Sequence, residues 1–294
     1  MADAVGVIGL GNAGGAVAGA LAAKIPVIGF DLDADRRAVA AGLGVECVGS
    51  LDEVASRARR IMMSLPKPEI SIAVTEALAA CATPPALIIE TSTVTPKTAQ
   101  TSHAICEARG IAFVDAAIAG GVASMAAGKI TFFLGGAEAD KALARPILDL
   151  VADGIYDLGS TGSGMGTKVV NNGVMHALMV VLIEAFAMSN KLGVPAETMV
   201  EILNREEGLL RPLVHRVGER MRDGDYNAGM SVTNARKDSV LALETAQQLG
   251  VPLFATSASH TPYEIAESKG MGDMDYAALA KLWEEWTGVE FGSE

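Results

Sequence analysis

Residues 4 to 31 leave the chain little freedom of fold. Ala4 to Ile8 is an apolar run, Gly9-Leu10-Gly11-Asn12-Ala13-Gly14 follows at once, and an alanine-rich helical pattern continues to Ala23. Pro26 to Phe30 is a second apolar run and ends on Asp31. Strand, glycine turn, helix, strand and acid, in that order, specify a βαβ unit built to hold a dinucleotide. The first glycine allows the tight turn, the second lets backbone amides approach a pyrophosphate, and the third lets helix and strand pack closely. The N-terminus of the helix then faces the phosphates with its positive end. Asp31 comes 22 residues after Gly9. A carboxylate there accepts hydrogen bonds from a ribose 2′-OH and repels a 2′-phosphate. Gly9, Leu10, Gly11, Asn12, Ala13, Gly14 and Asp31 therefore read as a cofactor site that favours NAD over NADP. Arg36 and Arg37 read as the solvated first turn of the next helix.

The alternation continues. Arg60 to Leu65, Ala86 to Ile89, Ile111 to Val114, Ile130 to Leu134 and Ile155 to Leu158 are further strand candidates. In a doubly wound parallel sheet, ligands lie at the carboxyl ends of the strands. Leu65, Pro66, Ser92, Thr93 and the segment after Asp115 all fall there. Ser92 and Thr93 fit an N-cap and turn equally well. Gly120 and Gly121 after a strand leave backbone amides for an anion such as a carboxylate; a flexible turn is the alternative.

A long helix is predicted from Gly164 or Gly166 to Leu192, closed by Gly193 and stopped by Pro195. From Val174 to Ile183 only His176 is polar, and it reads as core-lining. Lys168 and Asn172 are four residues apart and share a helix face. Both fit a solvated first turn as well as a site. Beyond Gly193 the patterns are helical throughout: Ala196 to Leu203, Leu210 to Met221, Ala235 to Leu249, Ser257 to Lys269 and Tyr276 to Trp286. Lys237-Asp238 stands near the start of the third. A lysine in a first turn faces the positive helix end, so an anion would have to hold it there; a surface pair is the plainer alternative. The expected architecture is α/β: a Rossmann domain over 1–163, an interdomain helix over 164–192 and an all-α domain over 193–294.

A net charge of −12 and a pI of about 4.8 disfavour nucleic acid and anionic membrane as partners. Cys47, Cys81 and Cys106 are widely spaced, odd in number and without metal-ligand spacing. With an N-terminus that runs straight into an apolar strand no secretory leader is expected, and the apolar part of the long helix reads as too short and too interrupted to span a bilayer. A cytoplasmic protein without a metal is expected.

Together these segments resemble the β-hydroxyacid dehydrogenase family, which includes 3-hydroxyisobutyrate dehydrogenase and tartronate semialdehyde reductase. The resemblance covers essentially the whole chain. Gly9-x-Gly11-x-x-Gly14-x-x-x-Ala18 is similar to its cofactor fingerprint, and Gly162-x-Gly164-x-x-x-Lys168-x-x-x-Asn172 to its catalytic motif. Leu65-Pro66 and Ser92-Thr93 stand where the family contacts its cofactor, and Lys237-Asp238 resembles its C-terminal Lys-Asp pair. The resemblance implies hydride transfer between a nicotinamide and the β-carbon of a small carboxylic acid. Lys168 is then the general acid/base and Asn172 orients the reacting group. Leu65, Pro66, Thr93 and Lys237 lie at the cofactor; Ser92, Ala119, Gly120, Gly121 and Asn172 lie at the substrate. It also implies a homodimer or homotetramer.

The chain departs from the family pattern at four positions. Ala117 replaces a proline, Ala119 a serine, Met125 an alanine, and Glu90 stands where aspartate is usual. Ala119 and Met125 together suggest a bulkier or less polar substrate. An imine reductase of related architecture is one rival, and it usually lacks the lysine. A non-catalytic nucleotide-binding protein on the same fold is the other.

Overall fold

The computed structural model describes residues 4–206, 208–227 and 229–292. The chain divides into two compact units, Met1–Gly173 and Val174–Glu294.

The first unit alternates strands and helices as the sequence predicts. It runs β1 (Val5–Ile8), α1 (Asn12–Ala22), β2 (Val27–Phe30), α2 (Ala34–Gly42), β3 (Glu46–Cys47), α3 (Leu51–Arg57), β4 (Arg60–Met63) and α4 (Pro68–Ala80). It continues with β5 (Leu87–Glu90), α5 (Pro96–Glu107), β6 (Ala112–Ala119), α6 (Val122–Ala126), β7 (Ile130–Gly136), α7 (Glu138–Leu148) and β8 (Ala152–Asp157). The eight strands form one sheet in the order β3-β2-β1-β4-β5-β6-β7-β8. The order reverses between β1 and β4, and that switch point opens a crevice at the carboxyl ends of the strands.

One expectation about the sheet is corrected. β1 to β6 are parallel, but β7 runs antiparallel to β6, and β8 is parallel to β7. The reason is chain length. Residues 120–129 join β6 to β7, and a parallel crossover needs about a dozen residues or more. β6 is also longer than predicted: it carries on through Ala116 to Ala119 in register with Leu134 to Thr131.

Successive residues of the central strands point to opposite faces, so each strand feeds two cores. Val114, Ala116 and Ile118 join the layer under α1 and α7. Phe113 and Ala117 join the layer on the other face with Val54, Leu78 and Ala99. This decides two of the family departures. Ala117 is fully buried, and Met125 packs in the α1 layer. Both side chains are taken up by apolar packing, and neither is exposed. The close fit of α1 on β1 also explains Gly14: a Cβ there would stand 1.9 Å from the Gly9 carbonyl oxygen.

α8 (Ser163–Lys191) begins in the first unit and continues into the second. By length and composition it is long and apolar enough to cross a membrane, contrary to the expectation from its interrupted pattern. Val170, Val174, Met175 and Met179 are exposed on it, and so is His176, which does not line a core.

The second unit holds α9 (Ala196–Asn204), a π-helical segment Pro212–Met221, α10 (Val232–Leu249), α11 (Phe254–Ser268), a 3-10 turn Tyr276–Leu279 and α12 (Ala280–Thr287). α11 starts three residues before its predicted beginning because Glu184 of α8 caps it. The Glu184 carboxylate accepts the amides of Phe254, Ala255 and Thr256 and the Thr256 hydroxyl. These amides hold its pKa below the usual range, although burial opposes them.

Candidate active site

The crevice at the switch point is a groove of about 700 Å³. Gly9, Gly11, Asn12, Ala13 and Gly14 form its floor, Asp31 and Arg36 one end, and Leu65 and Pro66 a wall. The N-terminus of α1 has no side-chain cap and no acidic residue in its first turn, so its amides are available to an anion. A Cβ at Gly11 would meet only the Arg36 guanidinium, at 3.5 Å. The groove therefore has room, free donors and a carboxylate where a dinucleotide's pyrophosphate and ribose require them.

Asp31 is held for that task. Its Oδ2 accepts the Leu10 amide at 2.7 Å and its Oδ1 the Asp33 amide at 2.9 Å. Each oxygen keeps a lone pair for a ribose hydroxyl. Leu10 has its side chain buried in the core, and its amide donates to Asp31. Arg36 is exposed in the first turn of α2, as the sequence predicts. It also lines the groove, with Nη1 at 3.7 Å from Asp31 Oδ2. The two charges imply a test. Asp31→Ser removes the repulsion of a 2′-phosphate and leaves Arg36 to attract it. The ratio of kcat/KM for NAD over NADP is expected to fall by about tenfold or more, the scale of one charged hydrogen bond. An unchanged ratio would show that Asp31 does not set the preference.

The start of α8 is fastened from 47 to 50 residues away. Asp115 on β6 is fully buried, and its carboxylate accepts the Gly162 amide at 2.8 Å and the Met165 amide at 2.9 Å. Burial raises its pKa against the pull of those amides. Gly164 lets this turn sit down: a Cβ there would lie 2.3 Å from the Phe133 carbonyl oxygen and 2.8 Å from that of Asp115. Lys168 follows one turn later and is half-buried; desolvation lowers its pKa. Asn172 stands a further turn along and is also half-buried.

The remaining predicted residues divide. Thr93, Gly120 and Gly121 are exposed beyond the ends of β5 and β6, and Ala119 is half-buried at the end of β6. Ser92 is buried, and its hydroxyl accepts the Leu65 amide at 2.7 Å. It supports Leu65, a residue of the groove lining, from a buried position. Lys237 belongs to the second unit, is exposed and pairs with Asp238 at 3.1 Å. Because Ser231 caps α10 and the helix starts at Val232, Lys237 lies past the first turn. At that position the positive helix end no longer requires an anion to hold the lysine. The Asp115 clamp was missed because no local spacing signals a carboxylate that caps a helix from another strand.

Residues 4–177 match the family described as the NAD binding domain of 6-phosphogluconate dehydrogenase. Residues 162–283 match the one described as NAD-binding of NADP-dependent 3-hydroxyisobutyrate dehydrogenase. The 2-(hydroxymethyl)glutarate dehydrogenase of Eubacterium barkeri is 31% identical over 290 residues, 97% of this chain and 96% of that protein. Among solved structures, Mycobacterium tuberculosis 3-hydroxyisobutyrate dehydrogenase with L-serine is 29% identical, with a TM-score of 0.65 over 96% of this chain and 99% of that one. An imine reductase from Myxococcus stipitatus with NAD+ is 18% identical, with a TM-score of 0.84 over 96% of this chain and 100% of that one. At that identity the likeness is one of fold alone.

Proposed function

The chain belongs to the β-hydroxyacid dehydrogenase family, and from that premise we propose that it oxidises a small β-hydroxy acid with NAD, Lys168 acting as general base. The observation that carries this reading is Lys168 itself. It is half-buried and its pKa is lowered by desolvation. Its helix is anchored at the first turn by Asp115. A free lysine titrates near 10.4 and is a poor base at neutral pH, so lowering its pKa is what the task demands.

In the forward direction the substrate hydroxyl gives its proton to Lys168 Nζ. NAD held in the groove would supply the hydride acceptor for the carbinol carbon, so that the product would be an aldehyde. In reverse the ammonium returns the proton to the carbonyl oxygen. Asn172, one turn along the same face, offers its amide to orient the hydroxyl. The exposed amides around Gly120 and Gly121 are candidates to hold the substrate carboxylate.

2-(Hydroxymethyl)glutarate, 3-hydroxyisobutyrate and L-serine, the compounds attached to the similar proteins, share one core. Each is a 3-hydroxypropionate with a different substituent at C2. This core is the substrate class proposed here. NADH formation with a panel of C2-substituted 3-hydroxypropionates tests it. Turnover of one or more of them, lost in a Lys168 variant, supports the reading. Reduction of cyclic imines without hydroxy-acid oxidation would favour the imine-reductase alternative, and NAD binding without turnover the non-catalytic one.

Ala119 is the remaining departure that sits near the proposed carboxylate site. Adding back a hydroxyl with Ala119→Ser is expected to raise kcat/KM for L-serine by about tenfold, the scale of a hydrogen bond to a charged group. It is not expected to help an alkyl-substituted acid. Equal effects on both would remove Ala119 from the substrate site.

The exposed apolar residues of α8 support a homo-oligomer, which light scattering on the purified protein would reveal.

A further inference from the structure

β5 ends on Glu90, whose side chain is fully buried. Its Oε1 accepts the Ser92 amide at 2.8 Å. The Ser92 hydroxyl in turn accepts the Leu65 amide at 2.7 Å, and Leu65 is part of the groove wall. Ser71 of α4 stands behind, its Oγ 3.4 Å from Ser92 Oγ. Two hydrogen bonds thus connect a buried acid to the nucleotide groove. Among the described residues, Glu90 Oε2 is buried and has no hydrogen-bond partner, an arrangement that an acid with a purely structural role would avoid. Among the described residues, the charged group that acts on Glu90 is Asp115, its register neighbour on β6, which is itself committed to the start of α8.

We infer that Glu90 is a positioning residue for the cofactor: its carboxylate, acting through Ser92, holds the Leu65–Pro66 wall in place, and protonation of that carboxylate weakens NAD binding. The inference rests on reading the groove as the NAD site. Its logic is the donor count. An ionised Glu90 can only accept, so the Ser92 amide and hydroxyl proton turn toward it and the Ser92 oxygen is left for Leu65. A protonated Glu90 carries an O–H of its own, and the nearby side-chain acceptors are the Ser92 and Ser71 oxygens. The two lone pairs of Ser92 Oγ already accept the Leu65 amide and the Ser71 hydroxyl, so a further donor there competes with them.

The exchange falls in a useful range. Burial lifts the Glu90 carboxyl to about 7, against the pull of the Ser92 and Ser71 hydroxyls and the Ser92 amide, with Asp115 adding to the rise. Above that value the wall is braced, and below it the brace loosens. The same shift has an opposite consequence for folding. The folded state holds the Glu90 proton more tightly than the unfolded chain does. Stability from this group is therefore present below the ordinary glutamate range and is lost as pH rises toward 7. Binding and stability depend on the same proton with opposite sign.

The test measures the NAD dissociation constant of the whole protein by calorimetry across about two pH units either side of 7. In the native protein the constant is expected to rise about three- to tenfold as pH falls through 7, the scale of one neutral hydrogen bond. Glu90→Gln, a permanent mimic of the neutral acid, should bind at the weak limit with no step, and its thermal stability should lose the fall between the ordinary glutamate pKa and 7. Ser92→Ala, which deletes one oxygen and keeps the test open if glutamine is not accommodated, should also lose the step. An unchanged step in either folded variant, or a flat profile in the native protein, would overturn the assignment of Glu90. No NAD binding by the native protein at any pH would instead overturn the reading of the groove.

Discussion

Lys168→Ala is expected to lower kcat for hydroxy-acid oxidation by a factor on the order of 10² or more, with NAD binding nearly intact. The separation follows from the geometry. The groove is built from the β1–α1 turn, the end of β2 and the Leu65–Pro66 wall, and Lys168 does not line it. Its contribution is a proton acceptor, so its loss appears in turnover rather than in cofactor affinity. The pH dependence provides a second check. The neutral amine is the active form for oxidation and the ammonium for reduction. Desolvation lowers the pKa, so kcat/KM for oxidation should rise with pH through a value below that of a free lysine, and reduction should fall over the same interval. The stability sign is also fixed. A buried ammonium disfavours the folded state, and this cost is relieved as pH rises through the depressed pKa. Lys168→Met should therefore leave denaturation midpoints unchanged or raised while abolishing turnover. Near-native turnover in either variant would reduce Lys168 to an ordinary half-buried lysine and remove the proposed mechanism.

Asp115→Ala should be the most damaging change outside the proton-transfer pair, and by a different route. It leaves the Gly162 and Met165 amides buried without acceptors. Hydrogen bonds to a charged acceptor are worth about 1.5–3 kcal/mol each. The cost of burying the carboxylate, visible in its raised pKa, offsets part of that. A net loss of about 2–4 kcal/mol is expected by urea denaturation, together with a fall in kcat because Lys168 stands on the turn that follows the anchored start of α8. Asp115→Asn keeps one acceptor oxygen and should fall between the native protein and the alanine variant in both measures. If the alanine variant were as stable and as active as the native protein, the start of α8 would need no anchor from β6.

Much of this was legible from local spacing. The βαβ unit, the glycine turn, Asp31 and the placement of Lys168 and Asn172 on one helix face follow from contacts between residues one to four apart, or from motifs whose spacing is strict. Such spacings are set by the 3.6-residue helix and the two-residue strand repeats, which the amino-acid order displays directly. The family resemblance was readable for the same reason and agrees with the comparisons.

What required the tertiary structure is of another kind. Leu10 and Met125 look outward in a motif and turn inward in the fold, because the layer under α1 needs their volume. The antiparallel turn of β7 depends on a connection too short to cross over. The Asp115 clamp, the Glu184 cap on α11 and the Glu90–Ser92–Leu65 brace join residues 25 to 72 positions apart or depend on such a joint. Each depends on strand order and register bringing a single carboxylate or hydroxyl against amides from a distant segment. No periodicity encodes such a meeting, since the amides involved carry no side-chain identity and only the folded path of the backbone brings them within hydrogen-bond reach.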